Sequence, residues 1–341
     1  MKSRRQRLLS RKSWLVGILI VVAVVLAAEI VLVAPRVLDV WHPWDYGNYV
    51  KMGLDVREGR NPYGPDRYYP LPTMLWIFVP LSLMPAWFAL PWVIVPFVFI
   101  LILFRGQGAW FFLFPPLWFV VSDAMFDGWL LLPLAWLLAN RPIWAGVGAA
   151  LLLFKPHVTV LVVGYMLWRW VIARDWKNLK TFSAAMALLW LPSFIVNPGW
   201  LWQMLEVLQT RTEQISILPL LTASIWSWAW LGGMAQTIFL AVLMATGVLF
   251  WRAARDESSR AAAFQLVGLL LNPVMLASNL ILVLPTVRGR NQIVGIVFVA
   301  LGGYALDRAL GAFGGGYALV SLFALYFLAR QSQTTPIKDA P

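Results

Sequence analysis

Apolar stretches of membrane-crossing length recur along this chain, separated by short breaks that hold most of its charge. About 20 predominantly apolar residues cross a bilayer as a helix. The pattern therefore predicts an all-α protein, a polytopic transmembrane helix bundle in a single domain covering 1–341. The N-terminus, MKSRRQRLLSRK, carries six basic residues and precedes the predominantly apolar run Trp14 to Ala34. A secretory apolar region is shorter, about 7–15 residues, and ends in a cleavage site. This run is predicted to be a retained helix, with the basic head, residues 1–13, in the cytoplasm. Residues 35–71 are the longest polar stretch, with five basic and five acidic residues and no apolar run. They read as a long first extracytoplasmic loop with short interfacial helices.

Beyond that loop, Arg105, Arg141, the stretch Arg169 to Lys180, Arg252 to Arg260, Arg288 with Arg290, and Arg330 all suit cytoplasmic breaks. The helices then alternate as about 12 spans, and residues 331–341 form a cytoplasmic tail. On this path 122–128, 155–157, 197–217 and 272–279 share the outer face with the first loop. Residues 72–104 must be one broken span, with Pro80, Pro85, Pro91 and Pro96 inside it. Residues 258–290 must be two spans of about 15 residues each, shorter than usual. If they are one span, Arg288 and Arg290 move to the outer face. No internal repeat is visible.

Composition sharpens the picture. Hydrophobic residues make up 61% and charged residues 12%, against about 25% charged in soluble domains. The 21 tryptophans suit the membrane–water interface. The formal net charge of +12 would suggest nucleic acid in a soluble protein, but here the basic residues sit in the breaks between spans. No nucleic-acid partner is predicted. The absence of cysteine excludes disulfides, thiolate metal sites and thiol nucleophiles. There is no Gly-rich phosphate loop and no HExxH helix. The two histidines are not at metal-ligand spacing, so no metal site and no cofactor is predicted.

Candidate chemistry begins in WHPWDYGNYVKMGLDVREGRNPYGPDRYYPLP. Asp45 follows the first helix among His42, Trp44, Tyr46 and Tyr49. Aromatic faces stack on sugars, and sugar hydroxyls donate to carboxylates. The same rings also suit an interfacial belt. A partly desolvated carboxylate such as Asp45 can serve as a general base. Lys155 stands in LLLFKPHVTVL, with Pro156 and His157 beside it. It is read either as a snorkelling lysine or as a ligand for the phosphate of a lipid carrier. Asn272, Ser278 and Asn279 interrupt an apolar stretch, and either bond between helices or face a cavity. Asp123 and Asp127 stand four apart and read as a pair that could bind a divalent cation or, with nothing nearby to complete a shell, as a solvated loop.

The order of these pieces resembles the GT-C membrane glycosyltransferases, among them the bacterial polyprenol-phosphate-mannose-dependent mannosyltransferases. Asp45-Tyr46-Gly47-Asn48-Tyr49 matches an Asp-aromatic-x-x-Tyr element after the first helix. Gly59-Arg60-Asn61-Pro62-Tyr63 matches Gly-x-x-Pro-Tyr, and Tyr69-Pro70-Leu71-Pro72 opens the next helix. Ala145-Gly146 leads to Lys155-Pro156, and Asn272-Pro273 matches a late Ser/Asn-Pro element. Asp127-Gly128-Trp129 stands where the family often has Gly-Gln-x-Asn, and Ser278 and Asn279 stand where it often has histidine.

The resemblance implies a GT-C-like enzyme of the inner (plasma) membrane. It would move a hexose, such as mannose, from a polyprenyl-phosphate sugar to a glycolipid or polysaccharide hydroxyl on the outer face, with inversion. Asp45 would be the base. Lys155, with His157 or Arg288 and Arg290, would hold the departing phosphate. His42, Tyr49, Tyr63, Tyr69 and Asn279 would contact sugar or acceptor, and membrane lipids would surround the whole. The alternatives are a multi-span lipid or solute transporter or flippase, and a catalytically silent protein of the same fold. A transporter predicts charges near mid-membrane and paired discontinuous helices.

Overall fold

A computed structural model describes residues 45–63, 72–210, 223–229, 234–254, 256–272, 275–287, 289–309 and 314–334. The expected first helix 14–34, His42, Tyr69 and Arg288 lie outside them. Every regular element among the described residues is helical. In chain order these are α1 (Asp45–Arg57), α2 (Pro72–Leu81), α3 (Ala89–Phe104), α4 (Pro115–Ser122), α5 (Leu131–Leu138), α6 (Trp144–Leu152), α7 (Pro156–Ile172), α8 (Trp176–Val196), α9 (Trp200–Thr210), α10 (Trp226–Ala229), α11 (Met234–Ala253), α12 (Glu257–Leu271), α13 (Arg290–Ala309) and α14 (Ala318–Thr334). Several connections are 3-10 segments, notably Arg105–Leu113, Phe126–Leu130 and Ala277–Thr286.

Among the described residues, α13 alone qualifies by length and apolarity to cross a membrane. Three spans qualify if each of two bent pairs is counted as one: α4 with Phe126–Leu138, bent by 116°, and α8 with α9, bent by 83°. The described helices thus support an apolar helical bundle with fewer evident spans than the sequence count. Its flanks suit lipid better than water. Ile94, Leu101 and Ile102 on α3, Leu188 and Ile195 on α8, and Met244 and Val248 on α11 all point outward.

Two stretches differ from expectation. Residues 72–104 are two helices, α2 and α3, parted by a turn at Ser82–Pro85. Pro85 and Pro91 fall at or near helix starts, where a missing N–H costs little. Residues 258–290 pair the 15-residue α12 with a ten-residue 3-10 segment, Ala277–Thr286, rather than with a second span. That segment is buried from Ser278 to Leu284. Its neighbours α4, α5, α12 and α14 surround it.

Local chemistry explains where the helices stop. At Ala124, φ is +49°, and the amides of Ala124 and Met125 bond back to the Val121 and Val120 carbonyls. This left-handed stop ends α4 and turns the chain sharply. Arg174, with φ +53°, ends α7 in the same way, with Asp175 bonding back to Trp170. Asp175 then caps α8 by accepting from the Asn178 amide at 3.2 Å, and Asp256 caps α12 through Ser259 at 2.9 Å.

The polar side chains gather at two ends. Arg169 meets Glu257 at 3.3 Å, Trp170 donates to Asn140, Ile143 donates to Asn178, and Ser258 donates to the Leu138 carbonyl. At the opposite ends of α7 and α12, Asn272 donates to the His157 carbonyl at 2.8 Å. The two helices therefore run antiparallel. Of the breaks expected on one face, 122–128, 155–157 and 272–279 meet at one end, while 211–217 lie outside the described residues.

Candidate functional site

The first-loop segment folds as α1 and packs on α2. Buried residues recur along it at Tyr46, Tyr49, Val50, Met52 and Gly53, a helical spacing. Gly53 is needed here, because a Cβ would lie 2.0 Å from the Phe78 carbonyl oxygen. The helix ends at Gly59, with φ +69°, where the Arg60 amide bonds back to Asp55 at 2.8 Å. Arg60 also reaches the buried Asp55 carboxylate from Nε at 2.9 Å. The Asn61 side chain then accepts from the Tyr63 amide at 2.9 Å, an Asx turn with Pro62 at its centre. Gly59-Arg60-Asn61-Pro62-Tyr63 is thus a helix stop that folds Tyr63 back into the interior.

Tyr49 is fully buried and stacks on Phe78, with centroids 4.5 Å apart. Its hydroxyl donates to Asp45 across a long 3.4 Å and accepts from the Phe126 amide at 3.3 Å. Trp92 joins α1 to the turn after α4. Its indole donates to the Ala124 carbonyl at 3.0 Å and its ring lies 6.0 Å from Tyr49. Asp45, at the start of α1, is half-buried.

The turn at Ala124 delivers Asp127 into the interior, where it has no exposed surface. Asp127 Oδ2 sits 2.7 Å from Lys155 Nζ. Its other oxygen accepts from Asn279 Nδ2 at 2.7 Å. Asn279 in turn accepts from the Leu276 amide at 2.9 Å, which fixes the amide's orientation. Lys155 is the residue before α7, and Pro156 at the first helical position sets its direction. Thr159 donates to the Lys155 and Leu152 carbonyls. Three chain breaks, after α4, before α7 and after α12, thus supply one buried triad.

Asp45 shares this charged cluster. Burial pushes its carboxyl up to about 6. The Lys155 charge pulls it down, the Asp127 and Asp123 charges push it further up, and the Tyr49 bond lowers it. His157 also lies within reach of the Lys155 and Asp127 charges. It is exposed and lines a cavity of about 350 Å³ with Asn272, Leu161 and Gly268.

The structure therefore brings together Asp45, Tyr49, Lys155, His157 and Asn279. Tyr49 lies beneath Asp45 as a support, and Tyr63 is buried. Arg290 is exposed at the start of α13. From Asn279 to Thr286 the 3-10 rise is about 14 Å, so Arg290 stands beyond the far end of that segment. Asp127 and Asp123, expected in a solvated loop, belong to the cluster, and Asp127 is its most buried member. The sequence held one signal for this. Asp123 and Asp127 are the only charges between Arg105 and Arg141, and Lys155 is the only one between Arg141 and Arg169. Isolated opposite charges in apolar surroundings pair. Among the described residues no group of three His, Cys, Asp or Glu could hold a metal ion.

No known protein family, characterised protein or solved structure matches the chain.

Proposed function

We propose that the chain is a membrane glycosyltransferase that uses a polyprenyl-phosphate sugar. One observation carries this reading. Asp45, at the start of α1, and Lys155, before α7, belong to one charged cluster, and the Asp45 carboxyl is raised into the range that suits a base near neutral pH. In the proposed step Asp45 takes the proton of an acceptor hydroxyl as that oxygen attacks the anomeric carbon. The bond from that carbon to the phosphate oxygen breaks, configuration inverts, and polyprenyl phosphate departs. Lys155, held by Asp127, which Asn279 holds in turn, sets its positive charge toward the departing phosphate. A phosphate leaves without protonation, so a scarcity of histidine is no obstacle.

The test supplies purified wild type and Asp45→Asn with a panel of polyprenyl-phosphate sugars and a membrane lipid extract. Release of polyprenyl phosphate and a heavier glycolipid are followed. Wild-type turnover that drops by about 10²–10⁴ in Asp45→Asn, at an unchanged fold, is expected. Equal turnover in both would sink Asp45 as the base.

A second reading, a lipid or solute transporter, is favoured by a different observation. The Lys155–Asp127 pair lies between discontinuous helices, one pair bent by 116°, and intramembrane binding sites of transporters are built this way. Flux of a labelled lipid in proteoliposomes, without turnover of any donor, would select it.

A further inference from the structure

A cavity of about 1200 Å³ opens between α7, α11 and α12, away from the Asp45 cluster. Along α7 it is lined by Val160, Gly164 and Trp168, spaced four apart on one helical face. Phe264 forms its floor, with Tyr165 stacked on it at 4.5 Å and Phe250 at 5.0 Å. At the other end of the cavity stand Arg252 and Arg260. Toward Gly268 the smaller cavity at His157 continues it, since both share Val160 and Leu161.

The two ends differ in chemistry. The basic end lies by the Arg169–Glu257 pair, opposite the Lys155 end of α7. Two acids share this end with three arginines: Glu257 pairs with Arg169, and Asp256 accepts from the Ser259 amide. Arg260 Nε and Nη2 donate to the Ala254 carbonyl at 3.1 and 2.9 Å, which fixes its guanidinium plane. Trp251 and Trp168 are 83% and 56% exposed at this end, as indoles are at a membrane interface. The remaining wall is apolar and open. A Cβ on Gly164 would meet nothing within 4 Å, and Val160 and Leu161 are half-exposed.

We propose that this cavity binds one anionic phospholipid, with its phosphate at Arg252 and Arg260 and its acyl chains along Val160, Leu161 and Gly164 toward Gly268. The site is independent of the glycosyl-transfer reading and requires only that these helices lie in a membrane. A net anionic headgroup complements the two arginines, and a zwitterionic one does not.

The full chain, purified in detergent, is offered equimolar phosphatidylglycerol and phosphatidylcholine with matched acyl chains, and bound lipid is counted by native mass spectrometry. Wild type is expected to retain one phosphatidylglycerol in preference to phosphatidylcholine. Arg252→Gln should weaken that preference about fivefold. Gly164→Leu, whose Cβ meets nothing within 4 Å, fills the open wall and should abolish retention while leaving the melting temperature unchanged. Equal retention of both lipids by wild type would overturn the proposal. Retention by Gly164→Leu at the wild-type level would also overturn it, as would displacement by millimolar inorganic phosphate, which would mark a small-anion site.

Discussion

At the residue scale, Asp45 ties activity to stability through one proton. Its carboxyl rises from 3.8 to about 6 on folding. Between those values the folded chain holds a proton that the unfolded chain has lost, so stability falls as pH rises through that window. A base must be ionised, so turnover should rise with pH through about 6 and level off above it. The two profiles thus move in opposite directions over one interval. Asp45→Asn should lower turnover by about 10²–10⁴, flatten the stability profile between about pH 4 and 6.5, and stabilise the fold at pH 8 by about 1–3 kcal/mol. A melting series with and without the substitution checks this.

The buried pair makes a separate prediction. Lys155→Met or Asp127→Leu alone removes one partner of a buried ion pair and should cost about 3–5 kcal/mol. The double variant should regain most of that stability, measured as melting temperature, and should still lack turnover. Lys155 and Asn279 were legible because each interrupts an apolar run. Asp127 was not, because its partner lies 28 residues downstream and Asp123 beside it suggested a wet turn. The depth of a residue in the fold is set by the Ala124 turn, and an alanine carries no local signal for a left-handed backbone.

At the scale of elements, the site depends on how helices stop and touch. Ala124→Gly should preserve or raise stability, because glycine accepts φ +49° without strain, whereas Ala124→Val should cost about 1–2 kcal/mol. Asp127 follows that turn, so the valine variant should also lower turnover more than its melting temperature alone accounts for. Gly53→Ala would drive a methyl into the Phe78 carbonyl and should cost about 1–3 kcal/mol by parting α1 from α2. The helical class of the described residues was readable from the apolar runs, but the expected count of about 12 spans is not matched by helices of spanning length. The 3-10 course of Ala277–Thr286 was not readable, because tertiary burial rather than local propensity holds that segment.

At the scale of the whole molecule, the chain's lack of cysteine makes the two polar ends directly testable. Glu58→Cys, in the loop expected outside and past the far end of α1 from Asp45, and Lys177→Cys near Arg169 should react with an impermeant maleimide from opposite sides of a sealed vesicle. Labelling of both from one side would remove the alternating path on which the outer-face reading rests.

The lengths of α7 and α12 carry one more consequence. At 17 and 15 residues, they rise about 25 and 22 Å, short of a hydrocarbon core of about 30 Å. On the proposed membrane reading, a bilayer that these two helices cross thins around them to limit hydrophobic mismatch, and the dent brings the headgroup plane toward Lys155 and Asp45. Membrane thickness then becomes a control on access to the cluster. Reconstitution into lipids of increasing chain length should lower turnover steadily, with no change in the affinity for a water-soluble acceptor.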